Sequence, residues 1–92
     1  MVAAARTPTK LYSVNYGNRL ALYMVPNVTS DDTADVGSTG TNDFTKVFLA
    51  VEIGLKNAAL TVTTLTNATN LTLAQTGLTG EDAVLLVIGS ST

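Results

Sequence analysis

Four aspartates lie close together in the first half of the chain, at Asp31, Asp32, Asp35 and Asp43. Carboxylate oxygens beside glycines are the ligand type that calcium prefers. However, the spacing does not match an EF-hand loop, and no glutamate closes the segment. We therefore predict that these aspartates serve turns and solvation, and that the chain binds no metal and no cofactor.

Glu52 is the other carboxylate that could take part in acid–base chemistry. No second carboxylate lies at a spacing that would ensure its proximity, and Lys46 shares the same strand face by alternation. We predict a solvent-facing Glu52 that pairs with Lys46. The chain has no histidine and no cysteine, so no serine or threonine has an evident activating base. These absences predict a protein that is not an enzyme.

Three tyrosines, Tyr12, Tyr16 and Tyr23, fall within one short segment. Exposed tyrosines can stack on sugars or anchor an interface. The alternative that we favour is an aromatic cluster that packs this segment on the core.

The charges are segregated along the chain. Residues 1–30 carry +3 and no acid, residues 31–43 carry −4 and no base, and the remainder carries −1. Within one chain the two segments could neutralise each other. Between copies, a basic segment meeting an acidic one would give a head-to-tail contact that closes into a ring and weakens in salt. We predict partner contacts at seven residues: Arg6, Pro8, Lys10, Tyr12, Asp31, Asp32 and Asp35.

The composition favours strands. Threonine occurs sixteen times, whereas glutamate occurs twice and glutamine once. Threonine fits a pleated surface, and long exposed helices usually need more glutamate and glutamine. We predict an all-β fold, a small β-sandwich or β-barrel of about six or seven strands. Its domains would be an extended N-terminal arm at residues 1–10 and a single β domain at residues 11–92.

Apolar alternation locates the principal strands. "LYSVNY" and "RLALYMV" flank Gly17-Asn18 and predict a hairpin whose second strand, ending at Pro26, is apolar on both faces. That strand would lie inside a sheet or face a neighbouring chain. "FTKVFLAVEIG" predicts a strand with Val47, Leu49, Val51 and Ile53 on one face. "AVLLVIG" predicts a central strand covered on both sides.

Two connecting segments complete the predicted chain path. Residues 27–43 have loop composition, with Val28 and Val36 as apolar anchors and room for a short edge strand. The alternation slips at Thr63-Thr64, which predicts a β-bulge, and residues 67–70 predict a turn.

Several classes of partner are disfavoured. The net charge is −2, which argues against a nucleic-acid partner, since phosphate binding needs clustered lysine and arginine side chains. No apolar run approaches the ~20 residues that span a membrane. The first six residues lack the apolar core of a signal peptide, so we expect assembly in a cytoplasm.

The succession of an arm, "VNYGNRLALY", a Thr/Asp/Gly loop, "FTKVFLAVEIG" and "EDAVLLVIGSS" resembles the small β-rich virion proteins of tailed bacteriophages. It is most similar to the head-decoration, or cement, proteins. The resemblance implies a β-barrel or sandwich that forms trimers or other small rings and docks on the capsid lattice. It implies no catalytic residue, and it assigns no docking residue.

The leading hypothesis is therefore a virion structural protein that oligomerises and bridges or stabilises the major capsid lattice, with itself and the major capsid protein as partners. A carbohydrate- or receptor-binding β-module is the alternative, and it predicts exposed tyrosines beside a groove. A third possibility is another virion part, such as a connector or tail component.

Overall fold

The computed structural model describes residues 4–56 and 60–92, apart from the side chain of Tyr16, and these residues form strands but no helix. The all-β prediction is confirmed. In chain order the strands are β1 (Ala5–Arg6), β2 (Thr9–Tyr16), β3 (Asn18–Val28), β4 (Thr33–Asp35), β5 (Lys46–Gly54), β6 (Leu60–Val62), β7 (Thr64–Asn67), β8 (Thr72–Ala74) and β9 (Glu81–Ser90). They outnumber the six or seven predicted, because strands of two to four residues are too short for alternation to reveal.

The strands form two sheets. The five-stranded sheet has the order β2-β3-β9-β5-β6 and is antiparallel throughout. The four-stranded sheet has the order β1-β4-β8-β7, in which β1 pairs with β4 in parallel. The predicted short strand in the long loop exists as β4, but it lies between two neighbours and not at an edge.

The two strongest sequence signals form the centre of the five-stranded sheet. The predicted hairpin is present, with Gly17 at a φ of 81° between β2 and β3. Glycine adopts this left-handed conformation without the strain that a β-carbon would add. The predicted central strand is β9, which pairs with β3 on one side and with β5 on the other.

The core lies against one side of the five-stranded sheet, which we call the inner face. The four-stranded sheet and the loops cover it, and both predicted loop anchors, Val28 and Val36, are buried there. The buried apolar residues are Ala21, Tyr23, Val25, Val28, Ala34, Val36, Phe44, Ala50, Leu71, Leu73, Leu78, Ala83, Leu85 and Val87.

Two predicted interruptions differ from the observed chain path. Pro26 does not end β3, since the pairing with β9 resumes at Val28 after an irregularity that accommodates the proline. At Thr63 the chain leaves the five-stranded sheet and enters the other, so the predicted bulge is a crossing between sheets. Thr63 stays attached to the first sheet, because its amide donates to Ala50 O at 2.9 Å.

The predicted alternation of β5 holds from Leu49 to Gly54 but is wrong for Val47. The pairing of β5 with β9 shifts register between Val47 and Leu49, as a β-bulge does. One residue is therefore added between two inward positions, so that Val47 and Ala50 face the same core. As a result Leu49 lies on the side of the sheet opposite to Val47.

Candidate functional site

The predicted basic and acidic segments meet within the chain. Arg6 Nε lies 2.8 Å from Asp32 Oδ2, and the Asp32 carboxylate also accepts the backbone amides of Ala4 and Thr29. Burial alone would raise the pKa of Asp32, but these hydrogen bonds outweigh it and hold the pKa below its ordinary value. Asp32 thus anchors residues 4–6 beside β4.

A second anchor forms around Asp43, which was not among the predicted contact residues. Its carboxylate accepts the Tyr23 hydroxyl at 2.7 Å, Lys10 Nζ at 3.0 Å and Arg19 NH1 at 3.3 Å. Burial opposes ionisation of Asp43, yet the hydrogen bonds from Tyr23 and Lys10 lower its pKa. This cluster fixes the loop before β5 to the five-stranded sheet. The charges expected to link copies in a ring are thus partly paired within one chain.

The remaining predicted contact residues are scattered. Pro8 and Asp35 line one surface groove together with Arg6. Asp35 also accepts the Gly37 amide at 2.9 Å, as aspartates do in turns. Asp31 is exposed, and Tyr12 is 57% exposed on the opposite side of the five-stranded sheet. Partner binding by these residues stays a prediction.

The two tyrosines whose side chains are described, Tyr12 and Tyr23, lie on opposite faces of the five-stranded sheet and do not form the expected cluster. Tyr23 is fully buried, and burial and the Asp43 carboxylate raise its pKa. Tyr12, in contrast, points away from the core. The side chain of Tyr16 lies outside the described part of the structure. The groove at Arg6, Pro8 and Asp35 has no tyrosine in its lining, so it does not match the site that a sugar-binding module predicts.

The prediction for Glu52 is wrong, because the bulge in β5 turns this side chain into the core. Glu52 is 2% exposed, whereas Lys46 is exposed. The carboxylate Oε2 of Glu52 has no hydrogen-bond partner among the described residues. Burial, and to a smaller extent the charge of Asp32, raise the pKa of Glu52 to about 7. Glu52 is therefore a buried acid and not a solvated partner of Lys46.

Within residues 4–56 and 60–92 there is no group of three or more acidic, histidine or cysteine side chains placed to hold a metal ion. In the same residues no helix is long and apolar enough to cross a membrane.

The side of the five-stranded sheet that faces away from the core is also apolar, and we call it the outer face. The strand register aligns its side chains in three rows that run across the strands. The rows are Val14-Leu20-Ile88-Leu49, Tyr12-Leu22-Leu86-Val51-Val62 and Met24-Val84-Ile53-Leu60.

Exposure on the outer face increases from its centre to its edges. Leu22 and Leu86 in the middle strands are half-buried by their neighbours, whereas Leu60 and Val62 on β6 are 64% and 67% exposed. The four-stranded sheet lies on the other side, so no element of the described chain covers these rows. A contiguous apolar surface of this kind marks an interaction site.

The two charges on this side stand at opposite ends. Lys46 lies opposite Ser90 at one end of the sheet, and Asp82 lies at the other end, near the start of β9. In the strands of the five-stranded sheet as described, alternation places no other charged side chain on the outer face.

The signal for this face was present in the sequence. The strand that became β3 was predicted to be apolar on both faces and to lie inside a sheet or against a neighbouring chain, and β9 shows the same pattern. The rows could not be derived, because they depend on the order of the strands and on the bulge in β5.

No family model, no characterised protein and no solved structure matches this chain.

Proposed function

We propose that this chain is a non-enzymatic structural protein of a bacteriophage virion, a head-decoration or cement protein that acts by assembly. It oligomerises and bridges or stabilises the major capsid lattice, and it joins the virion in the host cytoplasm. The observation that carries the proposal is the uncovered outer face, since a contiguous apolar surface built from three rows of side chains marks an interaction site.

The arrangement of the acidic residues also supports a structural function. Asp32 and Asp43 each accept three or more donors from their own chain, which uses them as anchors for loops. Glu52 is enclosed in the core, where no substrate reaches it. The Asp32 and Asp43 carboxylates therefore hold the fold together, and Glu52 is out of reach of a substrate.

Assembly on a lattice also suits a small subunit. A subunit that oligomerises presents several equivalent contacts at once, and weak contacts of this kind add through multivalency. The assignment to the capsid exterior comes from the layout of the sequence, which resembles decoration proteins. The outer face supports assembly in general.

The test is quantitative mass spectrometry of virions purified from the phage that encodes the chain. We expect the chain in the particles at a fixed, high ratio to the major capsid protein. Its presence at a few copies per particle would favour a connector or tail component. Its absence from purified particles would contradict the proposal.

A further inference from the structure

We infer that the outer face is a two-fold interface on which a second copy of this chain packs with its strands antiparallel, so that Lys46 of each copy faces Asp82 of the other. The inference rests on the proposed function, because it names the partner of the same assembly surface.

The outer face supplies a large part of the area that such an interface needs. The three rows hold thirteen side chains, and at a strand spacing of ~4.8 Å and a row spacing of ~6.7 Å they give a projected area of about 420 Å². The accessible area is larger, since the protruding side chains corrugate the surface. A standard interface buries roughly 800 Å² on each partner, and the largest apolar patch of a typical monomer is about 300–600 Å². The projected outer face is thus as large as the largest apolar patch of a typical monomer and supplies about half of the area that a standard interface buries on each partner.

The shape of the face also fits a second sheet. Its rows consist of aliphatic side chains on regular strands, and two such faces interdigitate at a distance of about 10 Å with their strands nearly aligned. Each copy would then have a core on both sides of its five-stranded sheet. In the dimer, β9 would be covered on both sides, as its sequence predicts.

The positions of the two charges select the orientation. A two-fold axis that runs across the strands reverses the strand direction, so it brings the Lys46 end of one copy over the Asp82 end of the other. An axis along the strands would place ends of the same sign together, and like charges at an interface are costly. The antiparallel arrangement forms two opposite-charge contacts by symmetry.

The centre of the face agrees with this axis. Leu86 lies midway between Asp82 and Ser90 on β9, and Ser90 is the residue opposite Lys46. A two-fold axis through the middle row therefore superposes the apolar rows and aligns the charged ends at the same time. Because rotation about this axis brings the lysine end of one face over the aspartate end of an identical face, the outer face is complementary to itself. We therefore infer that the partner is a second copy of the chain.

The first test is a zero-length cross-link. A carbodiimide joins a lysine amine to a carboxylate only when the two groups are in contact. Lys46 and Asp82 of one chain are about 27 Å apart along the strands, so a link between them must join two copies. We expect a cross-linked dimer that contains the Lys46–Asp82 peptide pair. A dimer whose links exclude this pair would overturn the antiparallel arrangement.

The second test exchanges the charges. Lys46→Asp places like charges at both contacts, and we expect the dimer dissociation constant at low salt to rise about tenfold. Lys46→Asp combined with Asp82→Lys restores opposite charges and should recover most of the affinity. Asp82→Asn is the matched control for the fold, because Asp82 also accepts the Asn27 amide at 3.0 Å. Equal affinity in Lys46→Asp and the unchanged chain would contradict the inference.

The outcomes separate this inference from the proposed function. A trimer, or a monomer at all concentrations in light scattering, would overturn the two-fold interface even if the chain is abundant in purified virions. Conversely, a Lys46–Asp82 dimer with no chain in the virions would retain the interface and reject the virion function.

Discussion

The two faces of the five-stranded sheet are made by the same strands, yet they are specified in different ways. On the inner face, Ala21, Tyr23 and Leu85 belong to the buried core cluster, and the Tyr23 hydroxyl donates to the Asp43 anchor. On the outer face, Leu22 and Leu86 have only their neighbours in the sheet. The inner face is covered by its own chain, whereas no element of the described chain covers the outer face. Apolar content alone therefore does not show which face forms the monomer core.

The largest expected difference separates two adjacent leucines of β9. Leu85→Ala leaves a cavity in the inner core and should cost about 2–5 kcal/mol of the free energy of unfolding. Leu86→Ala, on the outer face, should cost about 1 kcal/mol or less in the monomer, because the side chain is already partly solvated. Denaturant unfolding of both variants at low protein concentration measures the difference. Similar losses would mean that the two faces are equally part of the monomer core.

The Asp43 anchor should also be needed for the inner face. Asp43→Asn removes the negative charge with which Lys10 and Arg19 both pair, and it weakens the hydrogen bond from the Tyr23 hydroxyl. We therefore expect a loss of about 1–3 kcal/mol in the free energy of unfolding. Asp31→Asn is the matched control, since this residue is exposed and asparagine tolerates its left-handed backbone. Thermal unfolding should separate the two variants clearly. If both change the melting temperature equally, Asp43 is not an anchor.

Glu52 makes the stability of the inner face depend on pH. Its pKa in the folded state is raised to about 7, above the ordinary 4.5, so the folded state retains a proton that the unfolded state releases. The contribution of protonated Glu52 to the free energy of unfolding is fully present below the pKa that Glu52 has in the unfolded state. It is lost as the pH rises from 4.5 to 7. Glu52→Gln should match the unchanged chain near pH 4.5 and exceed it at pH 8 by on the order of 1–3 kcal/mol.

A comparison of melting curves at several pH values tests this dependence. The nearby charge of Asp32 adds to the effect of burial on the pKa of Glu52. Lys46→Ala is the control, since Lys46 is remote from the buried carboxylate and should leave the pH profile unchanged. A Lys46→Ala variant that alters the profile would instead support the pairing that strand alternation predicted.

The smallest effect is expected at Arg6. Its side chain is 29% exposed, and Asp32 retains two backbone amide donors without it. Arg6→Ala should therefore cost about 0.2–1 kcal/mol and increase hydrogen exchange at the Thr33 amide, which donates to Ala4 O. Pro8→Ala nearby is the control. A loss of several kcal/mol would show that this pair supports more than the first strand.

The sequence was sufficient for features that depend on local alternation. The hairpin at Gly17, the central strand β9 and the loop anchors Val28 and Val36 were all predicted, because each has a strong local pattern. Features that depend on distant contacts were not predicted. The bulge near Phe48 places Val47 on the face opposite to Leu49, and no local pattern distinguishes it from regular alternation.

Even less of the candidate site could be predicted from the sequence, because its residue pairs are set by tertiary structure. Segregated charges indicated that basic and acidic segments would meet, but only the fold shows that Arg6 meets Asp32 and that Lys10 meets Asp43 in the same chain. Lys46 and Asp82 are 36 positions apart in the sequence. Their common face is set by the pairing of β5 with β9, which the sequence alone does not determine.

Light scattering after size exclusion, over a range of protein concentrations, tests the central claim that the outer face is an assembly surface. We predict a shift from the 9.5 kDa chain to twice that mass as the concentration rises. Leu86→Lys should remain at the chain mass while it keeps the melting temperature of the monomer. A chain that stays monomeric at every concentration, or a Leu86→Lys variant that still associates, would contradict the account.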